Sequence, residues 1–166
     1  MNATVEIAIE TPEWRSAGIA ELAERAASAV FCHLNLPDRP GVSLLATDDA
    51  RIAILNAGFR GRNAATNVLS WPAEDLSAEE PGGRPALPQA DFPGEPPFLG
   101  DIALAWETCL REAETAGKPF GDHVVHLIVH GLLHLLGYDH ERDEDAALME
   151  GIEIEVLGKL GLPDPY

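Results

Sequence analysis

The polar and apolar positions of the chain change period several times, and each change marks an element. Residues 4–10, Thr-Val-Glu-Ile-Ala-Ile-Glu, alternate one by one, which predicts a strand with one buried face. After Thr11-Pro12-Glu13 the period lengthens. From Trp14 to about Leu34, Ile19, Leu22, Ala26, Ala27, Ala29 and Val30 fall at helical spacing. Trp14 reads as the core-edge anchor of that helix, and His33 as a surface or capping residue near its end. A turn over Pro37 to Pro40 leads to a strand over 42–47. Asp48 and Asp49 then stand where carboxylates cap the free amides of a helix start. The short helix over 50–57 turns Ile52, Leu55 and Ile54 inward. A glycine-bounded loop, 58–63, precedes a strand over 66–72.

Residues 73–98 lose all period. They are rich in Pro, Gly and acids, and read as a solvated surface loop within one domain of residues 1–166. The pattern resumes with a strand over 99–105 that has Asp101 near its start. An amphipathic helix over 106–116, stopped by Gly117, follows. A strongly apolar helix begins at Phe120, and a last helix spans 141–160 with Met149, Ile152, Ile154, Val156, Leu157 and Leu160 on its apolar side. The order predicts an α/β or α+β domain: a single sheet of about four strands packed with about five helices.

Charge changes this picture in one place. The formal net charge is −17, which excludes a surface that coats polyanions at large. Residues 41–72, with Arg51, Arg60 and Arg62 against Asp48 and Asp49, form the one segment with a positive balance. An anionic substrate is expected there. Cys32 and Cys109 have no metal-ligand spacing and read as reduced core thiols. The start Met1-Asn-Ala-Thr-Val-Glu-Ile lacks the basic and apolar regions of a signal peptide, and no apolar run is long enough for a membrane span. A cytoplasmic location with no membrane partner is expected.

The chemistry concentrates in the apolar helix. His126, His130, His134 and His140 are four of the six histidines. His130 and His134 are one turn apart on one helical face. Gly137 follows where a helix ends in a left-handed cap, and His140 lies beyond that turn. Three buried imidazoles on an apolar helix and its turn are costly to satisfy without a metal. Three nitrogen ligands with one open position define the catalytic kind of site, and zinc suits them best, with nickel, copper or iron as alternatives. His126 extends the stripe another turn, but its distance across two further turns, roughly 12 Å from the helical rise, excludes one ion reaching both ends. It reads instead as a group behind the ligands or facing substrate. Asp139 is a candidate to orient a ligand imidazole through its other nitrogen. His123 has no special claim.

The spacing matches the zincin-like ligand helix, whose signature carries a Glu beside the first His as general base. Here that position is Gly131, which argues against peptide hydrolysis by that route. A metallopeptidase therefore stands as an alternative, and so does a non-catalytic, metal-stabilised module.

The segment His130-Gly-Leu-Leu-His134-Leu-Leu-Gly137-Tyr-Asp-His140 resembles the H-G-x-L-H-L-x-G-Y-D-H motif of the YbeY-type endoribonucleases. The run from Leu55 to Pro72, with Phe59-Arg60-Gly61 and Thr66-Asn-Val-Leu-Ser-Trp71-Pro72, is similar to that family's L-N-x-x-[YF]-R-G-x-x-x-x-T-[DN]-V-L-S-F-P. Leu99-Gly-Asp101-Ile resembles its L-G-D-I. Trp71 stands where Phe is usual, and the 73–98 loop is long and acidic. The resemblance covers residue 42 onward. It implies one zinc ion on His130, His134 and His140 and a functional Arg60 in the active-site cleft, with Arg62 a lesser candidate. It also implies single-strand-specific cleavage of RNA in ribosomal RNA maturation and ribosome quality control, with ribosomes or ribosome-associated proteins as partners; the same resemblance would place the non-catalytic module on ribosomes. The negative charge predicts weak, salt-sensitive binding to naked RNA, which such a partner would strengthen.

Overall fold

The computed structural model describes residues 5–36, 39–60 and 65–166. The expected strand start at Thr4 and the turn through Pro37 and Asp38 lie outside them. Four strands form one mixed sheet: β1 (Val5–Ile9), β2 (Gly41–Thr47), β3 (Val68–Pro72) and β4 (Phe98–Ala105). Their spatial order is β1-β2-β4-β3. β1 runs parallel to β2 and β2 parallel to β4, while β3 pairs antiparallel with β4 at the sheet's end, Ser70 opposite Ile102.

Six helices accompany the sheet among the described residues: α1 (Glu13–Ser16), α2 (Ile19–His33), α3 (Asp49–Arg60), α4 (Trp106–Ala116), α5 (Phe120–Leu135) and α6 (Asp143–Lys159). The expected helix from Trp14 is two pieces, because Gly18 takes a left-handed φ of 76° between them. Trp14 is fully buried and donates its indole N–H to the carbonyl of Thr47 at 2.9 Å, with Trp106 packed edge-on against it. α3 also differs from expectation. It runs through Gly58 to Arg60 rather than breaking at Ala57, and Ile54 is 63% exposed. Asp48 caps it through the amide of Arg51, as expected, whereas Asp49 accepts from the amide and hydroxyl of Thr108 and so ties α3 to the start of α4.

β4 is buried on both faces, the usual state of a strand sandwiched between layers. Ile102 and Leu104 join the main core with α2, α4, α5 and α6, while Ala103 and Ala105 join Ile52 and Leu69 in a smaller cluster under α3. α5 is the central helix. Val125, Ile128, Val129, Leu132 and Leu133 are buried on it, leaving one stripe, His126, His130 and His134, half-open. Cys109 is buried as expected, but Cys32 is exposed. No helix of the described residues is long and apolar enough to cross a membrane.

The 73–98 segment is not the freely solvated insertion its composition suggests. Leu76 is only 7% exposed, and its carbonyl accepts from the amide of Ala86 at 2.9 Å. Arg142 donates to the carbonyls of Ala78 and Glu79, and Asp145 accepts from the amide of Gly82 at 2.9 Å. Half of the segment is thereby fastened over the turn that follows α5.

Candidate metal centre

The turn after α5 is built around Gly137, whose φ is 100°. A Cβ there would lie 2.7 Å from the carbonyl carbon of Leu76 and 2.9 Å from Cβ of Pro85. Only glycine satisfies both the left-handed backbone and this approach. The amide of Tyr138 returns to the carbonyl of Leu133 at 3.0 Å, which closes the helix end and reverses the chain. His140 is thus carried back beside the helix. Its ring stacks on that of His130, centroids 5.4 Å apart and planes 27° from parallel, and lies 5.0 Å from that of His134.

One nitrogen from each of His130, His134 and His140 lies within 4.8 Å of the others, a group able to hold a metal ion. The hydrogen-bond partners show how well. The Nδ1–H of His130 donates to Oε1 of Glu153 at 2.7 Å, and that of His134 donates to the carbonyl of Tyr138 at 3.0 Å. Neither acceptor can give a proton back, so both rings carry hydrogen on Nδ1 and turn the lone pair of Nε2 outward. Those two Nε2 atoms face each other at 3.0 Å. Two lone pairs so placed repel unless a cation or a proton lies between them. Three imidazoles of this disposition fit zinc, whose ligand histidines donate their remaining N–H to a carboxylate or carbonyl.

Electrostatics keep His134 ready for that role. Burial, and then the nearby His130 and His140, push its pKa down from the ordinary 6.5 to about 4, so it is neutral at cellular pH. Glu153 behaves in the opposite sense to most buried acids. Burial by itself raises it, but hydrogen bonds from His126, His130 and Tyr166 outweigh burial and hold it at about 2.

The other expected site residues are placed as follows. His126 donates through Nε2 to Oε2 of Glu153 at 3.1 Å and forms part of the cleft wall. Asp139 accepts from the amide of His140 at 2.7 Å within the turn, while the Nδ1 atoms of His130 and His134 bond to Glu153 and to the carbonyl of Tyr138. His123 donates to Glu112 at 2.9 Å, and Glu112 also accepts from Asn67, so α4, α5 and the residue leading into β3 are held together beside the site. Arg60 ends α3, one turn after Asn56, which lines the cleft; its side chain, and Arg62 altogether, lie outside the described residues. Glu153 and Tyr166 are the residues that the sequence pattern did not single out. Met149, Ile152, Val156 and Leu157 mark the buried stripe of α6, and Glu153 stands within that stripe. A charge at a core position was the readable signal.

The cleft has a volume of about 680 Å³. It is lined by the histidine stripe of α5, by Thr66 and Asn67 just before β3 and Ser70 within it, and by Tyr166. Gly131 does not face it. A Cβ there would meet Cδ1 of Ile102 at 3.1 Å, so this glycine lets α5 lie close on β4.

A helix and reversed turn that bring three imidazoles together beside a mixed sheet define a small α+β protein with a histidine group able to hold a metal ion. Comparison with known proteins narrows that class. Residues 4–161 match the family described as Endoribonuclease YbeY. A protein of that name from Ruegeria pomeroyi is 59% identical over 164 residues, 98% of each chain. Another from Paracoccus denitrificans is 54% identical over 98% of this chain and 89% of its own, and one from Bartonella henselae is 43% identical over 98% and 96%. The solution structure of TM1509 from Thermotoga maritima shares the fold, with a TM-score of 0.56 at 21% identity, covering 95% of this chain and 91% of that one. The chain belongs to the YbeY endoribonuclease family.

Proposed function

We propose that this protein, an endoribonuclease by family, cuts single-stranded RNA with one zinc ion held by His130, His134 and His140 and with Arg60 against a phosphate. The observation that carries the proposal is the pair of Nε2 lone pairs aimed at each other at 3.0 Å beside His140, in a chain of this family. When bound, zinc supplies Lewis-acid polarisation of a phosphoryl oxygen and lowers the pKa of a water towards neutrality.

The chain's own groups account for the rest. His130 and His134 are fixed with their lone pairs toward the cleft before any ligand arrives, so no reorganisation is required. The rings of His126 and Tyr166 line the same cleft and offer surfaces for unstacked bases, which only single-stranded RNA presents. Thr66, Asn67 and Ser70 offer short polar side chains to an extended strand laid along β3. Arg60, a permanently charged planar fork, suits bidentate contact with the phosphate as charge develops on it. Gly131 lies against Ile102, so the zincin-type base is replaced by packing, and peptide hydrolysis by that mechanism has no acceptor for its proton. The proposed setting is the cytoplasm, in ribosomal RNA maturation, with a ribosome or ribosome-associated protein supplying affinity that a chain of charge −17 lacks.

The test uses purified protein of measured metal content, offered single-stranded RNA, duplex RNA and casein, with and without a chelator. Cleavage of single-stranded RNA that a chelator stops and zinc restores is expected. Cleavage of casein alone, or RNA cleavage indifferent to metal removal, sinks the proposal.

A further inference from the structure

Glu153 is a carboxylate with no solvent exposure, and both of its oxygens are spent on the site. Oε1 accepts from His130 alone, at 2.7 Å. Oε2 accepts from Nε2 of His126 at 3.1 Å and from the hydroxyl of Tyr166. It is the one described acidic residue buried to this degree. An ion removed from water costs several kcal/mol unless donors surround it; here three do, and all three belong to the cleft wall or floor.

We propose that Glu153 is the positioning residue of this centre: it fixes the proton of His130 on Nδ1 and so presents the Nε2 lone pair to the metal, while His126 and Tyr166 occupy its second oxygen and keep the first for His130. The proposal rests on the metal site described above. A neutral imidazole has two tautomers, and the partner of one nitrogen decides which is present. A carbonyl partner does this for His134. For His130 the partner comes from a different helix, α6, so its lone pair depends on how α6 docks against α5. An ionised carboxylate can only accept, which removes the alternative tautomer altogether. The same logic sets His126 with hydrogen on Nε2 and leaves its buried Nδ1 as an acceptor without a partner.

The variant that separates charge from shape is Glu153→Gln. The amide has one accepting oxygen and one donating nitrogen. Whichever way it is turned, one of the two histidines meets a donor where it needs an acceptor and must change tautomer. Two measurements decide. In metal-free protein at mildly alkaline pH, long-range proton–nitrogen NMR should show His130 of the wild type protonated on Nδ1, and E153Q should show that state lost at His130 or the corresponding change at His126. By chelator competition, an E153Q in which His130 has lost its Nδ1 proton should bind zinc roughly ten- to a hundredfold more weakly, the usual effect of losing such a partner, and one in which only His126 has changed should keep wild-type affinity. Y166F, which leaves Glu153 ionised and both histidines bonded, should keep the His130 tautomer. Wild-type zinc affinity in an E153Q whose His130 has lost its Nδ1 proton overturns the proposal, as does weakened zinc binding in one whose His130 has kept it, and as does a wild-type His130 with its proton on Nε2. If E153Q does not fold, the wild-type spectrum decides. Failure of the wild type to take up zinc counts against the metal site itself, and Glu153 is then judged on the tautomer alone.

Discussion

Gly137 shows how narrowly a single residue is constrained when it holds a ligand loop in place. Its φ of 100° suits glycine, and a methyl group would sit inside contact distance of the Leu76 backbone, which cannot rotate away. Gly137→Ala is therefore expected to destabilise the protein by about 3 kcal/mol or more, combining strain with overpacking. Urea denaturation checks this, and a loss below about 0.5 kcal/mol, the size of an ordinary surface change, would show that the loop over Leu76 yields to the added methyl group. His134 makes a second residue-level prediction. Its folded pKa of about 4 lies below the ordinary 6.5, so the unfolded chain takes up that proton first as pH falls. The stability it contributes is complete above 6.5 and is lost as pH drops through 4. Glu153, held at about 2 against 4.5, adds a second loss below 4.5. Metal-free protein should thus melt at steadily lower temperature from pH 6.5 downward, and His134→Asn should flatten the upper part of that curve. A melting temperature constant between pH 6.5 and 4 contradicts the assignment.

At the scale of elements, α5 gathers most of the site because its spacing alone puts two imidazoles on one face. That is why the histidines, the glycine turn and the strands around them were legible from the sequence: each depends on a period of a few residues or on one backbone conformation. Less was legible where distant parts meet. Glu153 belongs to α6 and acts on α5, and no local pattern joins them except a charge on an apolar stripe. The anchoring of 73–98 rests on backbone carbonyls and amides, which composition does not report. α3 runs past Gly58 because tertiary packing of Ile52 under the sheet overrides a weak local breaker. Gly131 belongs to the same lesson. Read alone it is a missing base; in the fold it is the contact that seats α5 on Ile102 of β4. Gly131→Glu, which rebuilds the zincin signature, is accordingly expected to cost about 3 kcal/mol or more by forcing a charged chain into a packed core, and to give no casein hydrolysis. Calorimetry and a protease assay check the two halves. A stable G131E that digests casein would show that position 131 reaches the cleft.

For the molecule as a whole, the decisive feature is its charge: the formal net charge is −17, and acidic residues border the histidine group on one side. Arg51 lies 3.7 Å from Glu10 and is partly neutralised by it. On the far side of His134 and His140 the surface carries Glu74, Asp75, Asp139 and Glu141. An RNA backbone approaching from there meets like charge, so the strand is expected to enter from the α3 and β3 side; α3 ends at Arg60. If Arg60 and Arg62 each contact one phosphate, and about 0.7 counterions are released per phosphate contact on a single strand, log affinity should fall with log salt at a slope of about −1.4. Specific nucleic-acid binders with many phosphate contacts have far steeper slopes. Filter binding of a short unstructured RNA to a catalytically silent His134→Ala protein across a salt series measures the slope directly. Arg60→Glu in that background should weaken binding at low salt and make the slope shallower by about 0.7, one contact's worth, whereas Glu74→Gln with Asp75→Gln should strengthen binding at low salt while leaving the slope nearly unchanged. An unchanged affinity in R60E would remove Arg60 from the phosphate path, and a slope several times steeper would mean that RNA lies on a surface other than this cleft.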